Sequence, residues 1–173
     1  QNIKLVLELF LLNYGIKAVF YESEYNQWFE DGMFPNLELE KFAPDAIYVC
    51  TCIRNIADFP SISDDLATVD LKRKAVVDKF CGLWDSLNEK YHCPIIQNNF
   101  EYPFFRLMGN KDGSDYHGRV NFVTRVNCEF YDYAQSHDNF YICDVNYISS
   151  AYGLDRWADP YYWQKFSHCI FSG

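Results

Sequence analysis

The chain has 173 residues, of which 49% are apolar and 19% aromatic, with a formal net charge of −9. That length and apolar content suit one domain, residues 1–173, with a proper core. The acidic balance and the lack of any Lys/Arg cluster exclude a nonspecific nucleic-acid partner, because phosphate binding needs a basic patch. No apolar run approaches the roughly 20 residues of a membrane span, and the best, residues 6–12, is interrupted by Glu8. A membrane partner is therefore not expected, and no secretory leader pattern is visible.

Seven cysteines occur, Cys50, Cys52, Cys81, Cys93, Cys128, Cys143 and Cys169. The odd number and their placement inside predicted strands and helices point to free, buried thiols in a reducing compartment, hence a cytoplasmic location. Cys50 and Cys52 fall on one face of a strand with no second pair at ligand spacing, so neither a metal nor a cofactor is expected.

Residues 2–14 carry Ile3, Val6, Leu9, Phe10 and Leu12 at roughly helical spacing, with Gly15 where a C-cap belongs. Residues 17–21 read as a short strand. The polar, aromatic segment 22–29 reads as a loop opening into a short helix, and 36–42 as another helical turn or two. After Pro44-Asp45, the β-branched run 46–52 reads as a strand buried on both faces, as in a parallel sheet. Its polar tip holds Thr51, Arg54 and Asn55.

Residues 57–65 are loop-like. Residues 66–92 form a long predicted helix, in which Leu66, Val69, Leu71, Val76, Phe80, Leu83, Trp84, Leu87 and Tyr91 fit a 3.6 period. A strand follows at 94–98, then a second polar, aromatic stretch at 99–106 and turn chemistry at 109–113. A helix at 116–135 turns Val120, Val123, Val126, Phe130 and Tyr133 inward. The last strand is 140–144, and the helix 145–152 is capped by Gly153. The tail 156–163 is dense in aromatics.

This alternation predicts an α/β fold: a three-layer α/β/α sandwich with a mostly parallel sheet and helices on both faces. Four strands are few for so many crossovers, and the series opens on a helix. A first, central strand and its turn are thus expected to be missing from this sequence. In such sheets ligands bind beyond the carboxyl ends of the strands, which gathers the candidate residues at one edge.

Asn55 is either an amide donor to an oxyanion or a turn residue closing its strand. Arg54 either binds a phosphate or carboxylate bidentately or pairs with a surface acid. Asn98 and Asn99, at the end of the next strand, either line the cleft or cap the loop. Tyr25 and Asn26 follow the first predicted strand and either face the cleft or start a solvated helix. Asn110, in the Gly109-Asn110 turn, joins the substrate-binding candidates, as does Trp163. Asp159 either orients a histidine or N-caps a helix that begins with Pro160. His168 and His117 are the candidate bases, while His92 and His137 sit at predicted helix C-termini, where a cation suits the dipole. Cys52 lacks the partner base that a nucleophilic thiol needs.

Five segments carry a wider pattern: residues 21–27 (YESEYNQ), 42–45 (FAPD), 97–100 (QNNF), 109–110 (GN), and Arg156-Trp157-Ala158-Asp159-Pro160 followed by Trp163. In this order they resemble the N-terminal domain of FkbH-like proteins, which precedes a HAD-type (class IIIC) phosphatase or transferase domain. The resemblance implies an SGNH-hydrolase-like fold, a flavodoxin-like α/β/α sandwich, and, in the same chain or complex, a HAD-type partner, with a carrier protein as a further partner. It places Asn55 at the oxyanion-donor position and Asp159 at the triad acid.

The sequence departs from the SGNH scheme in two ways. The nucleophilic serine belongs to the segment expected upstream, and Trp163 stands near the catalytic histidine position, with His168 the nearest histidine. The Asp-x-Asp motif of HAD chemistry is absent. The implied function is binding of a substrate or carrier at the sheet edge, with hydrolysis or transfer of an ester-linked acyl group if the domain is active. The alternative is a non-catalytic scaffold for the HAD domain. A flavodoxin-like nucleotide binder lacks its Gly-rich phosphate loop.

Overall fold

The computed structural model describes residues 2–158. They divide into two compact units, with the boundary between Ala43 and Pro44.

The first unit holds three helices, α1 (Asn2–Asn13), α2 (Trp28–Met33) and α3 (Leu37–Phe42). Helix α1 stops at the expected glycine. Gly15 has φ 76°, and the Gly15 and Ile16 N–H groups donate to the Leu12 and Leu11 carbonyls at 2.9 and 3.0 Å. This double closure satisfies carbonyls that the helix itself leaves orphaned. Asn36 starts α3: its Oδ1 accepts from Glu38 and Leu39 N–H, while its Nδ2 donates to Tyr21 Oη and Asp31 Oδ1, both at 2.9 Å.

The expected strand at 17–21 is not formed, a correction to the sequence reading. A short alternating run becomes a strand only when its backbone groups pair with a neighbour. Among the described residues nothing pairs with it, and Val19 stays exposed.

The second unit is the α/β unit that the alternation predicts. Strands β1 (Ile47–Val49), β2 (Ile95–Asn98) and β3 (Phe140–Cys143) make one parallel sheet in the order β1-β2-β3. Val49 lies opposite Gln97, Gln97 opposite Ile142, and Asn98 opposite Cys143. The sheet thus has three strands among the described residues where four were expected.

The crossovers are α4 (Leu66–Tyr91) and α5 (Arg119–Ser136). Strands laid down in one direction by right-handed crossovers place both helices on the same face. The core is sealed there: Phe80, Leu83, Trp84, Phe100, Phe122, Val123, Val126 and Phe130 are fully buried. The Trp84 ring meets Phe130 edge-on at 4.8 Å and Phe140 at 4.5 Å between centroids. Each such side chain contributes about 1.5–3 kcal/mol through burial. On the opposite face Tyr48 and Tyr141 remain exposed. Helices α6 (Val145–Tyr152) and α7 (Leu154–Trp157) follow β3.

Strand β1 is shorter than the apolar run suggests. Beyond Val49 the backbone leaves the ladder, and a side chain takes over the pairing. Asn98 Oδ1 accepts from the Thr51 N–H at 2.7 Å, and Asn98 Nδ2 donates to the Thr51 carbonyl. A 3-10 turn, Ile53–Asn55, then reverses the chain.

Candidate functional site at the carboxyl edge of the sheet

The tips of the three strands are laced by buried amides. Gln97 Oε1 accepts from Trp84 Nε1 at 3.0 Å, and its Nε2 donates to Thr51 Oγ1 at 2.9 Å and to the Asn98 carbonyl at 2.8 Å. Asn99 Nδ2 donates to Tyr131 Oη and to Asp144 Oδ1, both at 2.7 Å, and its Oδ1 accepts from the Asn146 N–H at 2.8 Å. Asn127 pairs with both backbone groups of Phe100, accepting from N–H at 2.9 Å and donating to C=O at 2.8 Å. Buried polar groups persist only when paired in this way. Asn98 and Asn99 therefore form the frame under the edge, with their hydrogen-bonding groups committed to it.

Above that frame sits the 53–55 turn. Asn55 Oδ1 accepts from the Cys52 N–H at 2.9 Å. This fixes the carboxamide: its oxygen closes the turn, and its two N–H donors remain. Among the described residues no acceptor engages those donors. The two readings of Asn55, turn closure and amide donation, are thus compatible in one side chain. Arg54 is exposed beside it.

Facing the turn from beyond β2 is Glu101, 5% exposed. Its carboxylate receives the Ile53 N–H at 3.3 and 3.4 Å. Burial pushes its carboxyl above the usual carboxylate range, against the pull of its own and the Ile53 N–H groups and of Arg54. Sequence reasoning did not single this residue out. Its only signal is an acid placed directly behind the Asn98-Asn99-Phe100 run at a predicted strand end.

Cys52 lies at the same tip but is 5% exposed, and burial raises its thiol to about 11. A thiol held that far above neutrality is protonated and a poor nucleophile.

His117 and Asn110 belong to the loop that precedes α5. Both ring nitrogens of His117 are engaged, Nδ1 with Asp115 Oδ1 and Nε2 with the Asp64 carbonyl, each at 2.9 Å. The Asp64 carbonyl foremost, then Asp115, raise its pKa against desolvation. The ring ties the 109–118 loop to the 57–65 loop, and neither nitrogen is left to take a proton from a substrate. Asn110 is exposed in a 3-10 turn, Gly109–Lys111. That loop is pinned by buried Asp112, whose carboxylate receives Val120 N–H at 2.7 Å and Met108 N–H at 3.0 Å. Tyr25 and Asn26 are exposed in the first unit, Asn26 with φ 63°. Asp159, Trp163 and His168 lie outside the described residues. Among the described residues no group of three or more His, Cys, Asp or Glu side chains is placed to hold a metal ion. No helix among them is long and apolar enough to cross a membrane.

A parallel sheet with its crossover helices and a polar carboxyl edge defines an α/β class of fold. Residues 10–167 match the family model described as FkbH, N-terminal domain, and the chain belongs to that family. A solved structure, the crystal structure of the N-terminal part of the protein BF1531 from Bacteroides fragilis containing phosphatase domain complexed with Mg, superimposes with a TM-score of 0.75 at 22% identity. The match covers 93% of this chain and 41% of that one, so the fold is shared and this chain spans well under half of that protein. Comparison with functionally curated proteins finds no match.

Proposed function

We propose that this domain is SGNH-hydrolase-like and seats an ester-linked acyl group, free or borne by a carrier protein, at the carboxyl edge of its sheet. The observation that carries this reading is the fixed carboxamide of Asn55. Its Oδ1 is held by the Cys52 N–H at 2.9 Å, which leaves the amino group as a preorganised donor for a carbonyl or oxyanion. Arg54, exposed beside it, receives an anionic part of the substrate. If the domain hydrolyses or transfers the acyl group, Asp159 and His168 supply the acid and base, and Trp163 contributes a wall. The nucleophile then comes from outside the described residues, because the Thr51 hydroxyl is buried and bonded to Gln97.

The family resemblance supports a HAD-type phosphatase or transferase domain as the working partner, in the cytoplasm. The solved N-terminal part of BF1531, described as containing a phosphatase domain, supports that arrangement.

The test is a fluorophosphonate probe and a panel of nitrophenyl esters applied to the full-length protein. Labelling is expected, with Asn55→Ala lowering kcat/KM by about 10²–10³-fold, the cost of losing one oxyanion donor. A protein that is neither labelled nor esterolytic overturns the enzymatic reading. A second reading, a non-catalytic scaffold for the HAD domain, is favoured by the commitment of Asn98, Asn99 and Thr51 to internal bonds. It predicts that Asn55→Ala leaves the phosphatase activity of the full-length protein unchanged.

A further inference from the structure

Glu101 is a carboxyl group that the edge does not need for its frame. The frame is complete through amides: Asn98 holds both backbone groups of Thr51, and Asn127 holds both of Phe100. Glu101 is nevertheless 5% exposed, and among the described residues its carboxylate is met by its own N–H and, from the 53–55 turn, by the Ile53 N–H at 3.3 and 3.4 Å. A carboxylate has about four acceptor sites, and its own N–H with one long bond shared between two oxygens is incomplete solvation for a buried charge. The contact falls one residue before Arg54 and inside the turn that Asn55 closes.

We propose that Glu101 makes anion binding at this edge proton-linked: an anion seats on Arg54 and Asn55 when the Glu101 carboxyl holds its proton, and is expelled when that carboxyl ionises. The inference rests on the reading of Arg54 and Asn55 as ligand-binding. An ionised Glu101 lies against the same turn that must receive a second negative charge, and it draws on the positive charge of Arg54. A protonated Glu101 removes that repulsion. Linkage makes the effect reciprocal, so a bound anion favours the protonated carboxyl by the same factor. The titratable and charged groups facing Glu101 among the described residues are Arg54 and the thiols of Cys50 and Cys52. Burial raises both thiols, so they stay neutral where the carboxyl titrates.

The probe is inorganic sulfate, whose charge is constant between about pH 5 and pH 8, titrated at fixed ionic strength and followed by the side-chain NMR resonances of Arg54 and Asn55. Binding is expected to be at least about tenfold tighter below the Glu101 midpoint, read from its carboxyl ¹³C shift, than above it, the scale of one added charge a few ångströms away. Glu101→Gln is expected to bind on both sides of that midpoint as the unaltered protein does below it, and Arg54→Gln to bind on neither. In the unaltered protein the Glu101 carboxyl ¹³C midpoint is expected to rise on adding sulfate, a readout that does not depend on any variant folding. Sulfate binding that ignores pH, or a pH dependence that survives Glu101→Gln, overturns the proposal. No response to sulfate on either side of the midpoint also overturns it, while ester reactivity at Asn55 is judged separately by the fluorophosphonate label.

Discussion

A single carboxamide substitutes for the ladder between β1 and β2 where the strands part. Asn98 answers both the N–H and the C=O of Thr51, and all three groups are buried. Each buried backbone group left without a partner costs about 1–3 kcal/mol. Asn98→Ala is therefore expected to destabilise the protein by about 2–4 kcal/mol, read as a lower urea midpoint with an unchanged slope. An unchanged midpoint would show that water or a backbone shift replaces the amide.

His117 behaves differently, because its bonds depend on charge. Its pKa is raised in the folded state by the Asp64 carbonyl and Asp115. A raised folded value means that its stabilising contribution is fully present below the unfolded value near 6.5 and is lost as pH rises through the folded value. Asp64 and Asp115, both lowered by their partners, run the other way and lose their contributions in acid. His117→Gln is expected to flatten the fall in Tm as pH rises past about 6.5 while leaving the acid limb in place.

Asn98, Asn99 and His117 were all visible in the sequence as polar residues near an edge. Which of them face solvent was not, because burial is decided by helices far away in the chain. Glu101 was overlooked for the same reason: its type and position are ordinary, and only its 5% exposure makes it unusual.

At the scale of elements, the reading succeeded where the signal was local and periodic. Helix α4 runs over Leu66–Tyr91 against the expected 66–92, and α5 over Arg119–Ser136 against 116–135. It failed at 17–21, because a strand of a few residues is a property of a pair and not of a segment. The displaced start of α5 has a specific cause. Gly118 is the N-cap, and a Cβ there would lie 1.9 Å from the Asp112 carbonyl oxygen. Asp112 in turn caps the helix through Val120 N–H and holds the loop through Met108 N–H. Neither partner has room to shift, since Asp112 is wholly buried. Gly118→Ala is expected to cost about 3 kcal/mol or more, the upper range for overpacking against backbone. It should also loosen the 109–118 loop, seen as faster amide exchange at Val120 and Asn121. A variant of normal stability would mean that the α5 entrance rearranges freely.

For the α/β unit as a whole, the aromatic core and the candidate site are joined by one chain of hydrogen bonds. Trp84 is packed among Phe80, Phe130, Tyr133 and Phe140, its ring tilted or edge-on to each. Its indole N–H reaches Gln97, which reaches the Thr51 hydroxyl, and Thr51 is the residue whose backbone Asn98 grips just before the 53–55 turn. The packing of α4 on the sheet therefore sets the position of the turn that presents Arg54 and Asn55. Trp84→Phe separates the two contributions, because it keeps an aromatic ring and removes the N–H. Gln97 Oε1 would be left buried without its donor, at a cost of about 1–3 kcal/mol beyond the lost ring volume. Global unfolding free energy is expected to fall by that amount. Amide exchange is expected to quicken at Cys52, Ile53 and Asn55 by a larger factor than at Ile96 and Gln97, since β2 is bonded on both sides and the turn is not. If exchange quickens equally at all of these amides, the turn is held by the general stability of the unit, and the indole–glutamine bond has no separate part in placing the site.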